Sequence, residues 1–551
     1  MKTLNLIAPR TISPVLILTI FTLACLVPFV GKPFYIDDPL FVWCAQHLQS
    51  HPIDFYGYNI NWQGREEMMA AVTQNPPLAS YYLALVGFLF GWSEVALHAG
   101  FLLPAVGAVI GTYYLARNFC SHPFWAALVT GVSPVFLMSS TSVMCDTMML
   151  AFWVWSVFLW MEGLKTENAA KLFMAALLIA ACCLTKYFGF CLVPLLLVYS
   201  LLEQRRVGWW LLYFCVPIIA LACYQWLTWR LYGQGLLLHA VSYATNFRVG
   251  GGLPSKILTG FAFSGGCMII LLAAAPLLWR KRSLAAGVSV MILIGVLVVA
   301  MKTVGVFPVV AEGKTKWFFV AQFSLLTVAG MSLVFLVVSD WRERRTPASA
   351  LLFLWVAGTF IFACAVNWTV SGRNILPMLP AVSVLMLRQL EARDSLHNRN
   401  YLPRLTWSLG ISLVIALFVV WADYRSADAA RLAASQIKQE LDAVSTKTWF
   451  EGHWGFQYYM EKLGGKALAF KDPNQHLVPN EAIVVPLNNS YTFNLSPEHT
   501  EFKFKYETEG SKWLTTMNAF SGAGYYSDGW GPLPFAFYRV PADQYIVYRI
   551  K

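Results

Sequence analysis

The chain has 551 residues, of which 58% are hydrophobic and 13% are charged. A soluble domain carries about 25% charged residues, so the composition excludes that class and indicates a polytopic membrane protein. The formal net charge of +11 sits in short basic clusters between apolar runs, the pattern of cytoplasmic loops and not of a nucleic-acid-binding surface.

The first apolar run, 11–30, follows Lys2 and Arg10. Its length is enough for a bilayer core of ~30 Å and exceeds a usual secretory h-region of roughly 7–15 residues. Ala24-Cys25 is a weak match to a lipoprotein cleavage site, but Thr22 and the apolar residues beyond Cys25 favour an uncleaved first span. Next comes FYIDDPLFVWCAQHL, then a polar, aromatic loop, then QNPPLASYY at 74–82. Asp37 and Asp38 therefore stand where the chain leaves the membrane.

Further apolar runs cover 94–117, 123–140, 147–163, 169–184, 187–203, 208–232, 261–279, 283–301, 317–338, 348–366, 372–389 and 405–421. The short run 78–90 begins after Pro76-Pro77 and ends at Gly91. If it does not cross, then Lys2, Arg10, Arg205, Arg206, RKR at 280–282, RERR at 342–345 and Arg399 all lie inside. The outside segments then hold fewer cations over more residues, among them Lys32, Arg65, Arg248 and Lys256. The positive-inside rule favours this arrangement. The expectation is thirteen spans, a cytoplasmic N-terminus, and 78–90 lying on or dipping into the outer face within an outer first loop, 31–93. Residues 1–421 form the membrane domain and 422–551 a periplasmic domain. In that tail Ala429, Ala430, Ala433, Ile437, Leu441 and Val444 recur at helical spacing, FQYYMEKL reads as a helix, and KTWFEG, EAIVVP and QYIVYRI read as strands. A small α/β domain is expected.

This topology brings Asp37, Asp38, Asp146, Lys186, Arg230 and Arg373 to one face. Each has a plain alternative. Asp37 and Asp38 fit wetted loop charges, Asp146 a favourable carboxylate at a helix N-terminus, Lys186 a snorkelling lysine, and Arg230 and Arg373 interfacial anchors. Together they fit transfer chemistry with a phosphate leaving group: a carboxylate takes the acceptor's proton and cations meet the phosphate. The eleven Cys, all at or before Cys364, show no disulfide framework and no CxxC spacing. His47 and His51 lack a third ligand in sequence, so no metal site is read, although Asp37, Asp38 and Asp146 could hold a divalent cation.

A first span, an acid pair, a variable loop, Pro76-Pro77-Leu78 with an aromatic helix, the lone Asp146, and then LTK at 184–186 resemble glycosyltransferase family 39. RNILPMLP at 373–380 and the outer tail add to the likeness. The resemblance implies a mainly α, C-type membrane glycosyltransferase, as in protein O-mannosyltransferases and the lipid A aminoarabinose transferase. It implies Asp37 as the catalytic carboxylate, Asp38 as its acidic neighbour, Asp146 as a second acidic-loop residue and Lys186 as a ligand of the donor's lipid phosphate. Pro39-Leu40-Phe41 stand where the lipid A enzymes carry an Arg, and Asn75 where they carry a Lys, which speaks against aminoarabinose specificity. The expected reaction moves a sugar from a polyprenyl phosphate to a lipid, glycan or protein acceptor at the periplasmic face of a bacterial inner membrane, with inversion. A transporter or flippase and a non-catalytic envelope-glycan assembly protein are the competing readings. Transporters tend to place ionisable groups near mid-span in repeated halves.

Overall fold

A computed structural model describes residues 13–247, 249–397, 401–443, 447–470 and 477–551. Lys2, Arg10, Arg248, Arg399 and Val444 lie outside them. The architecture is mainly helical. Among the described residues nine helices are long and apolar enough to cross a membrane, or ten if the bent pair Pro123–Gly131 and Pro134–Ser140 is one span. Pro14–Phe29, Leu78–Phe90 and Ala169–Thr185 are shorter apolar helices.

Two expected spans are not straight rods. The pair at 123–140 bends by 62°, at a break just ahead of Pro134, whose ring cannot continue a helix. The run at 261–279 is divided among Leu253–Cys267, Ile270–Ala273 and Ala275–Leu278. Near the first of these breaks, a Cβ on Gly265 would stand 2.0 Å from the Leu326 carbonyl oxygen, and one on Gly330 would stand 1.9 Å from that of Phe261. Leu253–Cys267 and Trp317–Arg344 thus meet backbone to backbone, the close approach that small residues permit between membrane helices.

Burial separates lipid-facing helices from core helices. Lys281–Met301 is 11% buried and exposes Val288, Ile292, Leu293 and Val296. Gly372–Asp394 is 83% buried. Several polar groups within the bundle find partners there, as hydrocarbon favours. The indole N–H of Trp160 donates to Ser200 Oγ at 2.8 Å, and that of Trp355 to the Pro377 carbonyl at 2.8 Å.

Leu402–Asp442 is one continuous helix of 41 residues, so the membrane bundle and the tail share an element. The stripe Ala429, Ala430, Ala433, Ile437 and Leu441 is buried. The tail's mixed five-stranded sheet runs Thr500–Thr508, Asp543–Ile550, Ala482–Pro486, Thr448–Phe450 and Lys466–Ala467 in spatial order. The first two pairings are antiparallel and the last two parallel. Central Ala482–Pro486 is buried throughout, which fits its unbroken apolar run. Helix Trp454–Lys462 packs on Phe34 and Tyr35: a Cβ on Gly455 would stand 2.1 Å from the Phe34 carbonyl. The first loop and the tail therefore pack against one another.

Candidate active site

The site grows from the turn Tyr35–Pro39. Ile36 has φ +49°, a left-handed conformation that is unusual for a β-branched side chain. It turns the chain so that Asp37 precedes helix Asp38–Leu48 and the two acids diverge. Asp38 is fully buried. Its Oδ2 accepts the Tyr35 N–H at 3.0 Å, and its Oδ1 accepts the Ser142 hydroxyl at 2.9 Å and the Val143 N–H at 3.0 Å. Burial pushes this carboxyl up to about 6, against the pull of Lys32 and of those hydrogen bonds. Asp38 does not line the cavity; it braces the loop that leads to Asp146.

Asp37 does line it. The cavity is about 1160 Å³. Its charged lining, among the described residues, is Asp37, Asp146, Lys186 and Arg373. They stand as two ion pairs. Arg373 Nη1 lies 2.9 Å from Asp37 Oδ2, and Lys186 Nζ lies 2.6 Å from Asp146 Oδ1. Lys186 is the extended residue (φ −152°) between helix Ala169–Thr185 and the turn Tyr187–Cys191, so its side chain leaves the bundle at a helix break. Asp146 opens helix Asp146–Lys165 and is 2% exposed. On one side the lining continues into an apolar slot of Phe190, Ile218, Leu221, Ala222, Leu237 and Leu238, of which Phe190, Ile218 and Leu238 reach the outer surface of the bundle.

Arg230 is exposed at the end of helix Cys215–Tyr232 and is not among the lining residues. The grouping of Asp37, Asp38 and Asp146 as a cation site is not formed: Asp37 and Asp146 are ion-paired, Asp38 is spent on hydrogen bonds, and no cluster of three or more His, Cys, Asp or Glu suited to a metal occurs among the described residues.

Sequence reasoning missed the tail's contribution. Tyr526 lies under Arg373, its ring centre 5.5 Å from the guanidinium carbon. Its hydroxyl donates to Asp423 Oδ2 at 3.0 Å. Asp423, fully buried on Leu402–Asp442, also holds Lys32 at 2.5 Å and accepts the Thr516 hydroxyl at 2.7 Å. The backbone beside Arg373 is tied to the same loop. The Gly372 N–H donates to the Tyr525 carbonyl at 2.8 Å, the Asp528 N–H donates to the Val370 carbonyl at 2.9 Å, and Asp528 Oδ1 accepts the Val370 N–H at 3.0 Å and the Thr369 hydroxyl at 2.6 Å. The aromatic and glycine-rich stretch GAGYYSDGWG at 522–531 was the available signal.

Residues 74–229 match the family described as dolichyl-phosphate-mannose-protein mannosyltransferase. No curated protein sequence matches significantly. Among solved structures, the chain is similar to ArnT from Cupriavidus metallidurans bound to undecaprenyl phosphate, at 14% identity over 86% of this chain and 92% of that one, with a TM-score of 0.45. It is also similar to the arabinosyltransferase EmbB from Mycobacterium smegmatis (15% identity, 76% and 42% covered, TM-score 0.34) and to the arabinofuranosyltransferase AftD from Mycobacteria (11% identity, 98% and 39% covered, TM-score 0.41). Through residues 74–229, which hold Pro76-Pro77, Asp146 and Lys186, this membrane chain resembles the dolichyl-phosphate-mannose-protein mannosyltransferase family.

Proposed function

We propose that the protein is an integral-membrane glycosyltransferase that moves a sugar from a polyprenyl phosphate to an acceptor hydroxyl at the periplasmic face. One observation carries this reading: a single cavity gathers two carboxylate–cation pairs from four distant chain segments, between an apolar slot and the polar tail. The slot suits a prenyl chain. Lys186 and Arg373 suit its phosphate, as a point charge and a planar fork respectively.

Both cations are already paired, and that sets the order of events. An incoming phosphate competes with Asp37 for Arg373 and with Asp146 for Lys186. A carboxylate released from a guanidinium takes a proton more readily. Asp37 then accepts the proton of the acceptor hydroxyl, whose oxygen attacks the anomeric carbon. The bond from that carbon to the phosphate oxygen breaks, its electron pair leaves with the lipid phosphate, and the new charge is met by the two cations. One displacement inverts the anomeric carbon. Asp38, Tyr526 and Asp423 are positioning residues.

The test is sugar transfer by Asp37→Asn and Asp37→Glu in membranes where the protein inserts normally. Loss of transfer by Asn, with part retained by Glu, supports the assignment. Unaltered transfer by Asp37→Asn removes Asp37 as the base.

A further inference from the structure

The cavity changes character on the side built by the tail and the first outer loop. There it is lined by Trp62, Gln63, Trp454, Ser490, Tyr491 and Trp530, and none of these is charged. The Trp454 and Trp530 rings lie 5.2 Å apart at 58°. Trp62 and Tyr491 each lie 5.3 Å from the ring of His453, at 35° and 68°. Two aromatic groups thus line this side, with Gln63 next to Trp62 and Ser490 next to Tyr491 in the chain.

The backbone is strained to present them. Trp454 has φ +64° and Tyr491 has φ +52°, although neither is glycine. Asn489 holds the two segments together. Its Oδ1 accepts the N–H groups of His453 and Ser490, both at 2.8 Å, and its Nδ2 donates to the His453 carbonyl at 3.1 Å. Left-handed conformations at bulky residues cost free energy and persist where the surroundings over-determine them, chiefly at ligand sites.

The lining also narrows the ligand. A phosphate or carboxylate calls for Arg or Lys, and among the described residues the lining's two cations belong to the ion pairs already described. Neither edge strand of the five-stranded sheet, Thr500–Thr508 or Lys466–Ala467, lines the cavity, so a peptide adding a strand to that sheet would not reach it. An uncharged sugar ring fits. Its C–H face lies on the negative face of an aromatic ring, and its hydroxyls meet an amide and a hydroxyl at Gln63 and Ser490. We infer that this wall is the acceptor subsite and that the acceptor is the uncharged ring of a saccharide. The inference rests on the transferase reading above and narrows its acceptor.

The experiment is saturation-transfer NMR on the full-length protein in nanodiscs. The probes are maltose, cellobiose and di-N-acetylchitobiose, with glucose 1-phosphate and a threonine-rich peptide as comparisons. We expect ring-proton signals from at least one neutral disaccharide. They should weaken about tenfold in Trp530→Ala and in Tyr491→Asn, in line with loss of a stacking partner. Asn tolerates the left-handed backbone, so Tyr491→Asn removes the ring without adding strain. Signals from the phosphosugar or the peptide alone, no disaccharide signal, or a signal that survives both variants overturns the assignment. Displacement by undecaprenyl phosphoryl-mannose but not by undecaprenyl phosphate also overturns it, by giving the wall to the donor's own sugar. Thermal stabilisation by undecaprenyl phosphate in the same samples separates the two claims. Lipid binding without saccharide binding sinks the acceptor site alone, and saccharide binding without lipid binding sinks the donor reading alone.

Discussion

Arg373 Nη1 stands 2.9 Å from Asp37 Oδ2, with the ring of Tyr526 beneath the guanidinium. Asp37 comes from the first loop, Arg373 from the start of a buried span, and the ring from the tail. The pair forms only when the first loop and the buried span have come together. Its side chains are 28% exposed for Asp37 and 17% for Arg373, which leaves the carboxylate reachable by a substrate while the cation is mostly enclosed.

Arg373→Lys keeps a charge but loses the fork and the flat face over Tyr526. We expect transfer to fall by about 10- to 100-fold, the range of a weakened electrostatic contact to a leaving group. Initial rates at saturating lipid-linked donor measure this, and a rate equal to that of the parent protein would refute it.

Lys186→Met removes the cation beside a buried carboxylate. Stranding Asp146 should cost stability by about 3–5 kcal/mol, as when one partner of a buried pair is lost. Lys186→Met combined with Asp146→Asn should regain most of that stability while transfer stays at least ~100-fold down. Recovery of transfer along with stability in the double variant would return Lys186 to a structural role.

Tyr526→Phe keeps the ring under Arg373 and removes the hydroxyl from Asp423. Losing a hydrogen bond to a charged group should cost about 1.5–3 kcal/mol, with transfer per folded molecule within a few-fold of normal. Tyr526→Ala should lower the rate at saturating donor by at least ~10-fold, because the guanidinium loses its platform. Equal rates for the Ala variant and the parent, per folded molecule, would contradict this.

Acid should stabilise the tail and the first loop packed on it. Burial pushes Asp38 and Asp543 up to about 6, and Glu451 and Glu461 up to about 7. The folded state then holds more protons than the unfolded chain between about pH 4 and 7, so stability falls as pH rises through that window and levels off above it. His453, pushed down to about 4 by burial, opposes this between about pH 4 and 6.5. Burial raises Asp528 as well, so the carboxyls outnumber this histidine and the thermal midpoint should be higher near pH 5.5 than near pH 7.5. Glu451→Gln should shrink the difference. A midpoint that climbs with pH would show the sign to be wrong.

A periplasmic tail predicts that Cys placed at exposed Glu498 reacts with an impermeant thiol reagent in intact spheroplasts. The background should lack Cys215 and Cys223, the two exposed native thiols. Labelling only after lysis would invert the proposed topology.

Apolar runs and basic clusters are local features, so the sequence alone determined a many-span helical protein and its α/β elements at Thr448–Phe450, Ala482–Pro486, Asp543–Ile550 and Trp454–Lys462. It also singled out Asp37, Asp146, Lys186 and Arg373, because ionisable groups at span ends are costly and conspicuous in an apolar chain. Which charges pair, which acid is spent, and which cation stands apart are long-range matters. Asp37 and Asp38 are alike as residues, and only the resemblance set them apart; the left-handed turn at Ile36 sends Asp38 into the protein and Asp37 into the cavity. Arg230 looked equivalent to Arg373 until the packing of its helix left it outside the cavity. Tyr526, Trp530 and Tyr491 carried no periodic signal, since aromatic residues in irregular loops acquire their roles only from the surfaces that tertiary contacts bring opposite them.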